Sequence, residues 1–223
     1  MTADESPLKA MFWEHVPRQY MENLLQMLAD AYATSHANVF NAFERETEAV
    51  NVLPVYRRGV IEEGLVACAK PFGEDVSIVT VDGAGTSFWN HNRVECGRVS
   101  FTQGAAPHPD HVLRPSISRT QYAANNGQLS LFDDMHFDRP PPADSVLYGI
   151  LVHGREPGHR EQLGFAVVRF PLVDLSGYYT SRIDLFAEFP EIASAIGPKS
   201  EVPAEESVGE LPELELRTES DVG

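Results

Sequence analysis

The sequence predicts an α+β fold, and three observations carry that prediction. Apolar residues recur with a helical period up to about residue 70. Runs with strand character follow from residue 76, and the two strongest, residues 146–152 and 163–170, are close enough in the chain to pair as an antiparallel hairpin. Helices, then a mainly antiparallel sheet, then a last helix is the order expected of α+β. One domain of residues 1–196 and an acidic tail of residues 197–223 account for the chain.

The first helical signal covers residues 19–49. Met21, Leu24, Leu25, Leu28 and Tyr32 lie on one helix face, and Val39, Phe40 and Phe43 continue the stripe. Glu44, Glu46 and Glu48 lie near its expected end. A second helix is expected from about Val55 to Ala69, with Val60, Gly64, Leu65 and Cys68 on one side. Pro54 suits its first turn and Pro71 lies just past its end.

From Val76 the period changes to that of strands. Residues 76–81 are β-branched, and Asp82-Gly83-Ala84-Gly85 is a turn signal. Residues 86–89 and 98–101 are further strand candidates. Residues 103–118 read as a loop, residues 118–126 as a short helix, and residues 133–143 as irregular, closed by Pro140-Pro141-Pro142. Between the two strongest strands, residues 153–159 are polar and turn-rich. A final helix is expected over residues 182–196.

Composition excludes several classes of function. Mean hydropathy is −0.23, and no apolar run approaches the roughly 18 residues of a membrane helix. Two cysteines, Cys68 and Cys96, are too few for a disulfide framework or a four-cysteine zinc site. A formal charge of −16 argues against broad binding to nucleic-acid phosphates. The tail carries a net −6 with three prolines and no aromatic residue, which predicts disorder, yet residues 1–196 still hold −10. The acidic start Met1-Thr2-Ala3-Asp4-Glu5 has no signal-peptide pattern, so a cytoplasmic location with reduced thiols is expected. No cofactor is expected.

One short motif stands out. Gln128-Leu129-Ser130-Leu131-Phe132, followed by Asp133-Asp134, resembles the linear motif by which bacterial proteins dock on the β sliding clamp of DNA replication. The resemblance covers these five residues only, and all five positions match. It implies that Leu131 and Phe132 enter a hydrophobic pocket as anchors, Gln128 fixes the register through its amide, Leu129 adds apolar contact and Ser130 faces the rim. Burial of both anchors would contribute about 3–5 kcal/mol before ordering costs, which suits exchangeable binding. The alternation of Leu129 and Leu131 also fits a half-buried strand, the competing reading.

Other constellations carry less. His108-Pro109-Asp110-His111 could supply metal ligands with His136 or His153, but Pro109 disturbs the helical facing of His108 and His111, and solvated loop histidines are the adopted reading. In Trp89-Asn90-His91-Asn92, the His-Asn pair is similar to part of a His-Asn-His nuclease motif that lacks its third histidine here. Glu95 and Asp82 lie in turn-like stretches without a local acid–base partner. No phosphate loop, dinucleotide fingerprint or nucleophile elbow is present. Arg57, Arg58, Arg93, Arg98, Arg114 and Arg119 could gather to grip phosphate or carboxylate, but pairing with the many acids is the adopted reading.

These observations predict an interaction protein that docks on the clamp through residues 128–132, modulating replication or repair, or acting as a clamp-targeting toxin or mobile-element factor. A nuclease-class enzyme tethered by the peptide is one alternative. A toxin–antitoxin or regulatory component with the peptide buried is another. The lack of a catalytic motif favours the first.

Overall fold

A computed structural model describes residues 6–81, 90–126 and 146–196. Pro7 opens α1 (Pro7–His15), where its missing N–H is no loss. α2 (Arg18–Ala42) then buries Tyr20, Met21, Leu24, Leu25, Leu28, Ala31 and Tyr32 along one face. That face is the one the sequence predicts, and each fully buried leucine contributes about 1.5–3 kcal/mol.

The helix expected over residues 19–49 ends earlier. Phe43 leaves the helix in an extended conformation, and α3 runs from Glu46 to Ala69 (Glu46–Ala69). Glu46 and Glu48 therefore open α3, where carboxylates favour the positive end of the helix dipole, instead of closing α2. Pro54, expected in a first turn, lies inside α3. Six buried positions, Ala49, Leu53, Arg57, Ile61, Leu65 and Ala69, hold that helix in place, and such packing outweighs the lost backbone hydrogen bond. A 3₁₀ segment (Lys70–Asp75) follows, so α3 stops just before Pro71 as expected.

Six strands form one sheet in chain order: β1 (Ser77–Val81), β2 (His91–Cys96), β3 (Val99–Ala105), β4 (Leu147–Glu156), β5 (His159–Pro171) and β6 (Tyr178–Asp184). The β4–β5 hairpin forms as predicted. All pairs are antiparallel except β3 with β4, which run parallel from Val99 opposite Leu147 to Ala105 opposite His153. The crossover between them carries α4 (Ile117–Ala123), capped by the Ser116 hydroxyl, and a 3₁₀ turn (Ala124–Asn126). Gln103 to Ala105, read as loop, belong to β3, and Glu95, read as turn, lies on β2. Residues 178–184, inside or beside the expected last helix, form β6. Asp184 then caps α5 (Leu185–Glu188), and α6 (Pro190–Ile196) follows.

β4 is buried on both faces. Leu147 and Leu151 join the large core beneath α2 and α3, while Tyr148, Ile150 and Val152 meet Leu113, Tyr122 and Ala123 on the α4 side. A strand covered twice reads as a continuous apolar run, which is why residues 146–152 carry so strong a signal. No helix among the described residues is long and apolar enough to cross a membrane. Cys68 and Cys96 are unpaired. The expected turn at 82–85, the strand at 86–89, the irregular stretch at 133–143 and the acidic tail lie outside the described residues.

Asn126 fastens the crossover to the sheet. Its Nδ2 donates to the carbonyls of Tyr148 (2.9 Å) and Pro171 (3.0 Å), and its Oδ1 accepts from the Tyr148 N–H (2.8 Å). The side chain is fully buried. Asn126→Ala should lower the unfolding free energy by about 3 kcal/mol in urea titration, because three buried polar groups lose their partner. A loss below about 1 kcal/mol would show that water replaces the amide.

Candidate functional site: an arginine-lined cavity

The parallel strands β3 and β4 end side by side, and a cavity of about 870 Å³ opens at their carboxyl ends, between α3 and α4. Backbone contact draws the two strand ends together. The Ala106 N–H donates to the His153 carbonyl (2.9 Å), and a Cβ at Gly154 would come within 2.4 Å of the Ala106 oxygen and 2.3 Å of the Phe165 ring. Only glycine fits there, and it shapes the cavity wall.

The inner wall is a chain of buried hydrogen bonds. Gln103 Nε2 donates to Glu62 Oε1 (2.8 Å), so Gln103 Oε1 is the acceptor for His153 Nε2–H (2.9 Å). That assignment leaves His153 Nδ1 bare, and the Tyr32 hydroxyl donates to it (2.9 Å). Glu62 Oε2 accepts from the Asn92 N–H (2.7 Å), and Asn92 Nδ2 donates to the Glu62 carbonyl (3.0 Å). The chain therefore ties α2, α3, β2, β3 and β4 together. Full burial pulls the His153 pKa down to about 3, with Arg57 pushing the same way, so the imidazole is neutral. Burial raises the Tyr32 hydroxyl to about 12, against the opposing effect of Arg57.

Arginines dominate the remaining wall. Arg57, Arg58, Arg119, Arg155 and Arg160 face the cavity, and Glu62 is the one carboxylate among its described lining residues. Arg57 is buried and held from two sides: its Nε donates to Ser35 Oγ (3.0 Å) and its Nη2 to the Arg160 carbonyl (2.6 Å). Its guanidinium lies 4.0 Å over the Tyr32 ring. Arg119 Nη1 donates to the Arg114 carbonyl (3.1 Å). Arg160 pairs with Glu46 (2.8 Å), a largely exposed partner of little energetic weight. His91 sits at the β2 end of the cavity. Partial burial lowers its pKa; Glu62 opposes this, while Arg58, Arg119 and Arg93 reinforce it.

The sequence-derived candidates fare differently. Residues 128–132 lie outside the described residues, as does His136. His108 is exposed, and Asp110 faces Arg169 (3.1 Å) and Arg182 (3.8 Å), which occupy it as counter-ions. His153 is far from that role, locked between Tyr32 and Gln103. No group of three or more metal-ligating side chains occurs among the described residues. The expectation of scattered arginines is corrected for Arg57, Arg58 and Arg119, which line one cavity, and acid pairing holds for Arg93, which pairs with Glu95. Arg155 and Arg160 were missed. Their signal was the basic stretch between the two strongest strand runs, which the structure places at the facing ends of β4 and β5. No family model, curated protein or solved structure matches the chain.

The buried imidazole gives a pH test. The unfolded chain takes up a proton at His153 below about pH 6.5, and the native state does not until about pH 3. The contribution of neutral His153 is therefore complete above pH 6.5 and is lost as pH falls toward 3, by about 1.4 kcal/mol per pH unit. The stability advantage of wild type over His153→Gln should shrink between about pH 7 and pH 4.5. An advantage constant across that range would mean that the native imidazole takes up its proton as readily as the unfolded one.

Proposed function

We propose that the chain is a binding protein whose cavity takes a small organic anion. The observation that carries this reading is the concentration of five arginines against one carboxylate among the lining residues of a cavity of about 870 Å³, in a chain whose overall charge is −16. Guanidinium groups grip carboxylate and phosphate with paired N–H donors, and a cavity of this volume suits a drug-sized molecule. The acidic remainder of the surface disfavours a nucleic-acid polymer. Binding is favoured over catalysis because the ionisable groups of the inner wall are engaged with one another. Both Glu62 oxygens accept hydrogen bonds, and His153, with its pKa near 3, is a poor proton acceptor at neutral pH.

Thermal melting of the full chain with matched pairs of anionic and uncharged small molecules tests this. The anionic member of a pair should raise the melting temperature, and the shift should weaken in high salt and in Arg155→Gln. Equal shifts from uncharged partners, or none from any anion, would remove the reading.

A second reading rests on the five-residue match to the clamp-docking motif. We propose that residues 128–132 dock on the bacterial β sliding clamp, as regulator or competitor of other clamp clients. What supports it is the complete match and its place in the chain: it starts two residues after Asn126, which is fixed to the sheet, in the segment that leads to β4. Replacing Leu131 and Phe132 together by alanine should weaken clamp binding at least about tenfold with stability changed by less than about 0.5 kcal/mol. A core strand would instead lose roughly 3 kcal/mol or more of stability.

A further inference from the structure

The outward face of α3 carries an apolar stripe. Val52, Val55, Tyr56 and Val66 are four of the eight large apolar residues that stand exposed among the described residues, and all four lie on this one helix. Val52, Val55 and Val66 share a line with Gly59. At about 100° per residue, Val55 and Gly59 lie about 160° round the helix from Arg57, so the stripe points away from the cavity. Scattered exposed valines need no account. A row spaced three, four and seven along a helix is the seam by which one helix packs on another.

Gly59 sits at the centre of that row. A glycine inside a helix weakens it relative to alanine, so it needs a reason. Gly64 has one: a Cβ there would lie 2.3 Å from Met27 Sδ on α2. Gly59 has none of that kind, because a Cβ there would meet nothing within 4 Å. What its missing side chain permits is close approach from outside, since two helix axes come only as near as the side chains at their crossing allow. The residues either side of it are placed symmetrically. Val52 lies seven positions before Gly59 and Val66 seven after. Glu48 lies eleven before and Lys70, still with helical backbone angles, eleven after. Glu48 has only a largely exposed Arg45 at 3.6 Å to hold it.

We propose that α3 is a dimerisation helix: two copies of the chain pair antiparallel through this face and cross at Gly59 on a two-fold axis. Each residue then faces the one at the opposite offset from Gly59. Val52 meets the other copy's Val66, and Glu48 meets the other copy's Lys70, each contact occurring twice. Glu63 falls opposite Val55 and is the one poorly matched position. Charge selects this occupant. A parallel pair would set Glu48 against Glu48. A membrane surface suits helices with Lys and Arg beside the apolar face, whereas the exposed acids of α3, Glu46, Glu48 and Glu63, outnumber its exposed base, Arg58. The contact from Glu48 to Lys70 is about 33 Å long and one helix wide, less than the roughly 1,200–2,000 Å² of a stable interface, so the dimer is a weak one.

Analytical ultracentrifugation of the full chain between about 5 and 500 μM should show a monomer–dimer equilibrium with a midpoint of about 10–100 μM. Gly59→Leu should raise that midpoint at least about tenfold. Its melting temperature at low concentration should be unchanged or higher, because leucine is the better helix former and the space above Gly59 is open. If Gly59→Leu melts early, Val55→Arg at an exposed position gives the same reading. Glu48→Lys should weaken the dimer about threefold, and adding Lys70→Glu should restore it. A chain that stays monomeric at about 500 μM overturns the proposal and leaves the face to a partner of other chemistry. A dimer indifferent to Gly59→Leu forms elsewhere and overturns it as well. Loss of the dimer in Glu48→Lys without rescue by Lys70→Glu overturns the antiparallel pairing.

Discussion

The pairing of β3 with β4 determines where everything in the cavity lies. A parallel neighbour cannot follow by a hairpin, so the chain must cross over, and the crossover brings α4 to the opposite side of the strand ends from α3. Both strands then finish at the same level, Ala105 opposite His153. A slip of one residue would turn Gln103 and His153 away from Glu62 and Tyr32 and break the polar chain at two points. The register is held at one end by that chain and at the other by Asn126, which bonds to Tyr148 near the start of β4.

The polar chain and the arginines depend on each other. A buried imidazole beside Arg57 has little choice but to stay neutral, and as a neutral group it can accept from Tyr32 and donate to Gln103 at once. Tyr32 in turn offers its ring face to Arg57, which is anchored by Ser35 and the Arg160 backbone and so cannot swing out to an acid on the surface. Arg57 keeps its charge in the cavity because the groups that hold it do not neutralise it, whereas Arg160 pairs with Glu46.

Much of the scaffold was legible because its signals are local. The face of α2, the hairpin of β4 and β5, the stop before Pro71 and the short helix before Asn126 all follow from periodicity and turn residues. Pro54 misled because packing of six buried positions on α3 overrides a breaker, and β6 was missed because its buried residues, Tyr179 and Ile183, are few and spaced by polar ones. The cavity could not be read in this way. Arg57 and Arg160 are 103 positions apart, and Tyr32 and His153 are 121 apart. Only the crossover brings them together, and no local pattern announces a parallel pair. The arginines were visible as residues; their convergence is a property of topology.

The same crossover links the two functional readings. α4 contributes Arg119 and Ile117 to the cavity, and the chain passes from α4 through Asn126 to the clamp-like peptide within six residues of the end of the helix. A ligand seated between α3 and α4 gains contact energy only if α4 holds its place, so it stabilises the segment from which the peptide departs. The three hydrogen bonds of Asn126 limit how far that stabilisation changes the sheet itself. Any effect of a ligand on the chain beyond α4 would therefore have to pass through the Asn126 anchor.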